Sequence, residues 1–278
     1  MIVVTGATGN VGRPLVRALA AAGERVTALS RSLPREGAEA LPAGVRHRSA
    51  DLTDPASLGP SFEGARTLFL LVTGDWMSSS AGPEGILDAA RSAGVRRIVH
   101  LSSQGVATRR HPPVLEDAIK RSGLGWTMLR PGGFSSNTFR WAGTIRTRRA
   151  VVAPFGDVAL PVVDPADIAE VAAVTLLEAG HEGRTYELTG PAPVTPRQQT
   201  EALAQALGET IHFVEQSRAQ AREQMLHFMP EQVVESTLDT LGAPLPGEQE
   251  VSPDVEKLLG RPARTFAAWA QRNAAAFE

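Results

Sequence analysis

IVVTGATGNVGRPLVRALAAAG, residues 2–23, is the stretch that decides the fold. Four β-branched residues, Ile2 to Thr5, favour an extended strand. Val11, Leu15, Ala18, Leu19 and Ala22 then recur at helical spacing, and Gly23 supplies a helix stop. Gly6, Gly9 and Gly12 lie between the strand and the helix. At such a junction the free N–H groups and the positive end of the helix suit a pyrophosphate. Gly6 permits the tight turn, Gly9 lets a phosphate approach the backbone, and Gly12 lets the helix lie close to the sheet. The spacing is G-x-x-G-x-x-G rather than G-x-G-x-x-G, and its place between strand and helix gives it weight that glycines alone lack. The candidate dinucleotide cradle is Gly6, Thr8, Gly9, Asn10, Val11 and Gly12.

Working outward, short apolar runs alternate with helical patterns. RVTALS (25–30), VRHRSA (45–50), TLFLLV (67–72), RRIVHLS (96–102) and WTMLR (126–130) read as strands, with helices near 83–93 and 113–122. Continuous apolar runs such as TLFLLV belong to strands buried on both faces. Repeated strand–helix–strand units imply a parallel sheet with right-handed crossovers. After residue 131 the rhythm changes to the glycine-rich RPGGFSSN, a helix over about 165–179, and a further strand in RTYELTG (184–190). From 191 on the chain reads as mostly helical. The expected fold is therefore α/β: a Rossmann, doubly wound parallel sheet with a smaller, mostly helical substrate-binding lobe. Residues 1–131, joined by 164–190, would form the dinucleotide-binding core. Residues 132–163 and 191–278 would form the lobe.

The chain has 278 residues, 42% of them hydrophobic, and a formal net charge of −2. That supports a substantial core and provides no global basic field for nucleic acid or anionic lipid. No apolar run approaches the roughly 20 residues of a membrane helix. We expect a soluble cytoplasmic protein. With no cysteine, disulfides, thiolate metal sites and a cysteine nucleophile are excluded. The six histidines show no metal-ligand spacing. RTRR (146–149) reads as a solvated turn, without a nucleic-acid motif beside it.

The second strand ends in Ser30-Arg31, 19 positions after Gly12. An acid there would accept from a ribose 2′-hydroxyl, whereas an arginine suits a 2′-phosphate. NADP(H) is thus favoured over NAD(H).

Further segments carry a family resemblance. GATGNVG, ADLTD (50–54), SGLGWTMLRPGGF (122–134), VDPADIAEVAA (163–173) and YELTGP (186–191) occur in this order across the chain. Together they resemble the NmrA-like atypical short-chain dehydrogenase/reductases, a group that includes NAD(P)H-dependent quinone reductases and NADP-sensing regulators. The resemblance implies that Asp51 and Leu52 flank the adenine. It implies that Thr73, Gly74, Ser102 and Ser103 line the nicotinamide ribose, and that Pro131, Gly132 and Phe134 wall the nicotinamide. Ser102-Ser103 also fits plain turn chemistry, and Asp51 an Asx turn or helix cap.

One departure from related reductases stands out. Many use a Tyr-x-x-x-Lys pair as proton source, with a Glu four residues after the Lys. Anchoring on Glu116 puts Pro112 at the Lys position and Thr108 at the Tyr position, and neither can deliver a proton near neutrality. The chain's one tyrosine, Tyr186, lies in a strand pattern. His111, in a loop beside the gap, and Ser103 are the candidate catalytic side chains. A quinone does not need the missing acid, because hydride addition produces an aromatic phenolate that water protonates.

Large side chains gather where a pocket is expected: Trp76, Met77, Phe134, Asn137, Trp141, Phe155, Met225, Phe228 and Met229. Trp76-Met77, in the polar stretch TGDWMSSSAG, reads as a loop walling the nicotinamide. The leading expectation is an NAD(P)H-dependent oxidoreductase acting on a quinone or fused aromatic small molecule. An oxygenase tailoring a hydroxyaromatic polyketide and a non-enzymatic NADP sensor are the alternatives.

Overall fold

The computed structural model describes residues 1–31, 41–72 and 74–278. Its strands are β1 (Ile2–Thr5), β2 (Val26–Ser30), β3 (Arg46–Ser49), β4 (Thr67–Leu70), β5 (Arg97–Leu101), β6 (Gly125–Pro131), β7 (Ala150–Ala153), β8 (Arg184–Leu188) and β9 (His212–Glu215). Two compact units divide the chain. The first holds Met1–Val106, His111–Arg130 and Pro165–Glu187; the second holds Ala107–Arg110, Pro131–Asp164 and Leu188–Glu278.

In the first unit one sheet runs β3-β2-β1-β4-β5-β6-β8. β1 pairs in parallel with β2 (Val3 opposite Thr27) and with β4 (Val3 opposite Leu68). β4 pairs in parallel with β5, and β5 with β6. β1 is buried at every position because it sits mid-sheet. Leu68 and Leu70 of β4 enter a cluster with Ile86, Ile98 and Met128. Phe69, one residue out of phase, is equally buried, as the two-residue period of a strand covered on both faces requires. β3, RHRS, is largely exposed; its charges blunt the edge it forms.

The helix Gly12–Ala21 packs on Pro165–Leu177, and Pro83–Ser92 packs on Val114–Arg121. Pro165–Leu177 is hydrophobic around most of its surface, with Ile168, Val171, Ala172, Thr175 and Leu176 all buried. Such a helix must lie in an interior, which is why this distant segment returns to the first unit.

The second unit is mostly helical and adds one small sheet. β7 and β9 form a small parallel sheet, with Ala150 opposite His212 and Ala153 opposite Glu215. Trp141, Ile145, Val151, Leu203, Trp269 and Phe277 form its main core. The helices Pro196–Leu207 and Arg218–Leu226 each start with a capping box, Thr195 with Gln198 and Ser217 with Gln220. Ala107–Arg110, expected in the core unit, groups with the second instead. The cause is Glu248, only 3% exposed, which accepts from the Thr108 hydroxyl at 3.1 Å and the Arg110 Nε at 2.6 Å.

Candidate functional site

The glycine turn is built so that two of its glycines have no substitute. Gly6 has φ +61°, and a Cβ there would lie 2.6 Å from Leu71 Cδ2. At Gly12 a Cβ would overlap the Gly6 carbonyl oxygen and stand 2.8 Å from the Ala7 Cα. Gly9 donates its N–H to Gly6 O at 3.0 Å, closing the turn, and Arg13 donates from its side chain to Thr8 O at 3.0 Å. Asn10 is exposed and Val11 buried. The helix that follows has no side-chain cap at Val11 and no acid in its first turn. Its positive end is thus left for an external anion, which fits a dinucleotide pyrophosphate.

At the end of β2, the Ser30 hydroxyl lies 2.9 Å from His47 Nε2. Arg31 is exposed, and its carbonyl accepts from the Ser49 hydroxyl at 3.0 Å. Asp51 accepts from the Thr53 N–H at 2.9 Å and the Thr53 hydroxyl at 2.8 Å, an Asx turn. Those two bonds, with Arg31 nearby, hold the Asp51 carboxyl below its ordinary range. Leu52 packs half-buried against the main cluster. Thr73 lies outside the described residues, and Gly74 opens a short helix, Gly74–Ser78.

That helix corrects one expectation. Trp76 is not part of a polar loop but 8% exposed, buried with Leu58, Leu70 and Ile86 in the first unit's core. Met77, on the same helix, is 66% exposed. The surrounding serines and glycines hid a single turn that turns its one aromatic inward.

Beyond β5 the first unit carries a charged hub. Glu116 is 1% exposed and receives Ser102 Oγ at 2.7 Å, Arg130 Nε and Nη2 at 2.9 and 2.7 Å, and Lys120 Nζ at 3.3 Å. Burial pushes its carboxyl up, but the hydrogen bonds from Arg130 and Ser102 and the Arg130 charge prevail, and it falls to about 2. It is a fixed anion that orients Ser102, and it cannot serve as a proton donor near neutrality. Ser103 accepts from the Gly105 N–H at 3.1 Å, a local turn bond. The His111 N–H donates to Gly105 O at 2.9 Å, and its ring packs over Gly105, where a Cβ would meet Nδ1 at 2.6 Å. Thr108, the residue at the expected tyrosine position, has its hydroxyl committed to Glu248. Tyr186 is half-buried in β8, its hydroxyl 2.8 Å from His181 Nδ1.

In the second unit a cavity of about 220 Å³ opens beside the main core. Five of the expected pocket residues line it: Phe134, Asn137, Trp141, Met225 and Phe228. Phe155 and Met229 do not; they pack against a small cluster of Ala221, Met225, Val234 and Leu238, of which Ala221 and Met225 also line the cavity. Phe155 adopts φ +57°, uncommon for an aromatic residue, and its ring fills the space over Gly242. Backbone bonds fix the segment entering the cavity: Gly132 N–H to Leu188 O at 2.9 Å, and Val163 N–H to Gly133 O at 2.8 Å. Pro131 is buried. Val152, Leu160 and Val162 add apolar wall, Gln199 a polar group and Arg140 a charge. Sequence reading missed Arg140; its sign was Asn137 three residues earlier, one turn along the same 3₁₀ segment, Ser135–Trp141. Among the described residues no cluster of His, Asp or Glu could hold a metal, and no helix is long and apolar enough to cross a membrane.

Comparison with known proteins agrees with this architecture. The NAD(P)H-binding family matches residues 6–179. The chain is 38% identical to the (4-alkanoyl-5-oxo-2,5-dihydrofuran-3-yl)methyl phosphate reductase of Streptomyces griseus subsp. griseus, over 100% of this chain and 99% of that protein. It is 32% identical to the NAD(P)H azoreductase of Xenophilus azovorans, over 100% and 99%. The crystal structure of the NADPH-dependent quinone oxidoreductase QOR2 of Escherichia coli, complexed with NADPH, superposes with TM-score 0.79 at 26% identity, covering 98% of this chain and 99% of that one.

Proposed function

Because the chain belongs to the NAD(P)H-binding family, among the NmrA-like atypical short-chain dehydrogenase/reductases, and is an NAD(P)H-dependent oxidoreductase, we propose that it reduces a quinone or fused aromatic by direct hydride transfer. The observation that carries this reading is the commitment of Thr108 to Glu248, with no tyrosine or lysine in its place. An acceptor that needs an enzymic acid is therefore disfavoured. A quinone supplies its own electron sink, since two electrons and one proton from NADPH and one further proton from water give a hydroquinone and NADP⁺. The relatives' names support the same logic: a quinone, an azo compound and a dihydrofuranone conjugated to two carbonyls are all electron-poor acceptors.

The bound nicotinamide cofactor would supply the hydride. The protein's share is binding and orientation. Gly6, Gly9 and Gly12 leave room for the pyrophosphate, and the uncapped helix end attracts it. Arg31, exposed at the end of β2, would pair with a 2′-phosphate, which favours NADP(H). Ser102, held by Glu116, would present its oxygen to the nicotinamide ribose in one orientation. Phe134, Trp141 and Met225, apolar residues of the cavity lining, would hold a flat ring, and orientation alone is worth several kcal/mol of barrier.

The test is consumption of NADPH by pure protein with a panel of quinones, with oxygen excluded and with oxygen present. Turnover above the uncatalysed rate under both conditions supports the reading. No turnover with any quinone overturns it. Oxygen uptake in proportion to product would instead make the protein an oxygenase.

A further inference from the structure

The cavity of the second unit has walls of Phe134, Trp141, Val152, Leu160 and Met225, and its polar groups are neutral but for one. Among the described residues Arg140 is the single charge on that wall, and no carboxylate lines it. The Arg140 Nε donates to the Asn137 carbonyl at 2.8 Å, which fixes the plane of the guanidinium. Its two Nη groups make no ion pair or hydrogen bond with any described residue. Several other arginines of this unit are paired, Arg110 with Glu248, Arg149 with Glu209, Arg197 with Glu215, and Arg218 and Arg222 with Glu235, but none of them lines the cavity. Arg140 is exposed and lines the cavity. Burial pushes its guanidinium below the usual range with no acid opposing the effect. An exposed guanidinium without a counter-ion on a cavity wall is free to pair with an anionic group of a ligand.

We infer that Arg140 is a specificity-determining residue that receives an oxyanion of the substrate, so that the preferred ligand is an apolar conjugated ring system bearing a sulfonate, phosphate or carboxylate. The two Nη groups match the two oxygens of such an anion, and a charge-assisted pair of this kind is stronger than a neutral one. Asn137, one turn before, holds the guanidinium in place through its backbone. This inference rests on the reading of the cavity as the acceptor site, and its test is chosen to be independent of turnover.

Equilibrium binding is measured by quenching of tryptophan fluorescence, with 1,4-naphthoquinone and its 2-sulfonate as a matched pair. Naphthoquinones bearing a carboxylate or a phosphate ester form two further arms. The wild-type protein is expected to bind the anionic ligands more tightly than the neutral parent. Arg140→Gln is expected to lose about 10- to 100-fold for the anions and little for the parent. Arg140→Lys, which keeps the charge and loses the fork, is expected to fall between. The neutral parent is thereby the control for folding. Equal affinity of the wild type for charged and neutral ligands overturns the inference, as does a loss in Arg140→Gln that is the same for both. The NADPH assay with neutral quinones reports separately on the function: turnover there without charge discrimination removes Arg140 alone, and discrimination without turnover removes the quinone-reductase reading alone.

Discussion

Arg31→Ala is expected to cost one charge-assisted contact, about 1.5–3 kcal/mol, and so about 10- to 150-fold in NADPH affinity with NADH little changed. Titration of both cofactors checks this, and equal weakening of the two would remove Arg31 from the site. Glu116 makes a second residue-scale prediction, through pH. Its carboxyl lies at about 2 in the folded chain against 4.5 ordinarily, so the folded state prefers it ionised. The stability this contributes is present above 4.5 and is lost as pH falls toward about 2. Arg130 and Lys120 are 18% and 35% exposed on their side chains, so solvent screens part of the effect and about 1–3 kcal/mol is expected at pH 7. Urea melts of the wild type and Glu116→Gln should differ by that amount at pH 7 and converge by about pH 2. A gap that persists unchanged would mean the carboxylate charge is not what stabilises the hub. Glu116 was legible in sequence only as an anchor for counting; of its partners only Lys120, four residues on along the same helix, is announced by spacing, while Ser102 and Arg130 come from other segments.

Elements were legible in proportion to how much local periodicity they carry. β1 and the helix after it follow from four β-branched residues, three glycines and one apolar face, and they form as expected. β7 and β9, AVVA and HFVE, are four residues each and exist through pairing with one another across about sixty residues of chain. Neither has the flanking glycines and helix that mark β1, and β9 is mostly exposed, so its pattern is not that of a core. The helix around Trp76 was hidden because it is one turn long. The glycine turn yields the element-scale prediction. Gly12→Ala brings a methyl group onto the Gly6 carbonyl oxygen, where backbone rather than a side chain must move. The helix has to lift from β1, and the variant is expected to lose several kcal/mol of stability and at least tenfold in NADPH affinity. Thermal melts and cofactor titration measure both; a variant as stable and as tight as wild type would show that the turn can open.

On the scale of the whole molecule, the division of the chain follows connections that the sequence did not display. Glu248 holds Ala107–Arg110 within the second unit through Thr108 and Arg110, and also accepts the Leu245 N–H at 2.8 Å. Glu248→Ala strands a guanidinium, a hydroxyl and an N–H together. A loss of about 1–3 kcal/mol is expected, with faster amide exchange at residues 107–110. Unchanged exchange there would mean the segment is held by something else. Pro165–Leu177 returns to the first unit, where its apolar residues surround the helix and fit no surface position.

That return has a consequence for how the molecule is made. The first unit draws its pieces from Met1–Val106, His111–Arg130 and Pro165–Glu187. A nascent chain that has emerged only as far as Arg130 has its glycine turn but lacks both the helix that packs on Gly12–Ala21 and the strand that flanks β6. The glycine turn therefore gains its packing partners only after Pro131–Asp164 of the second unit has been translated, while the larger part of that unit, Leu188–Glu278, is still to come.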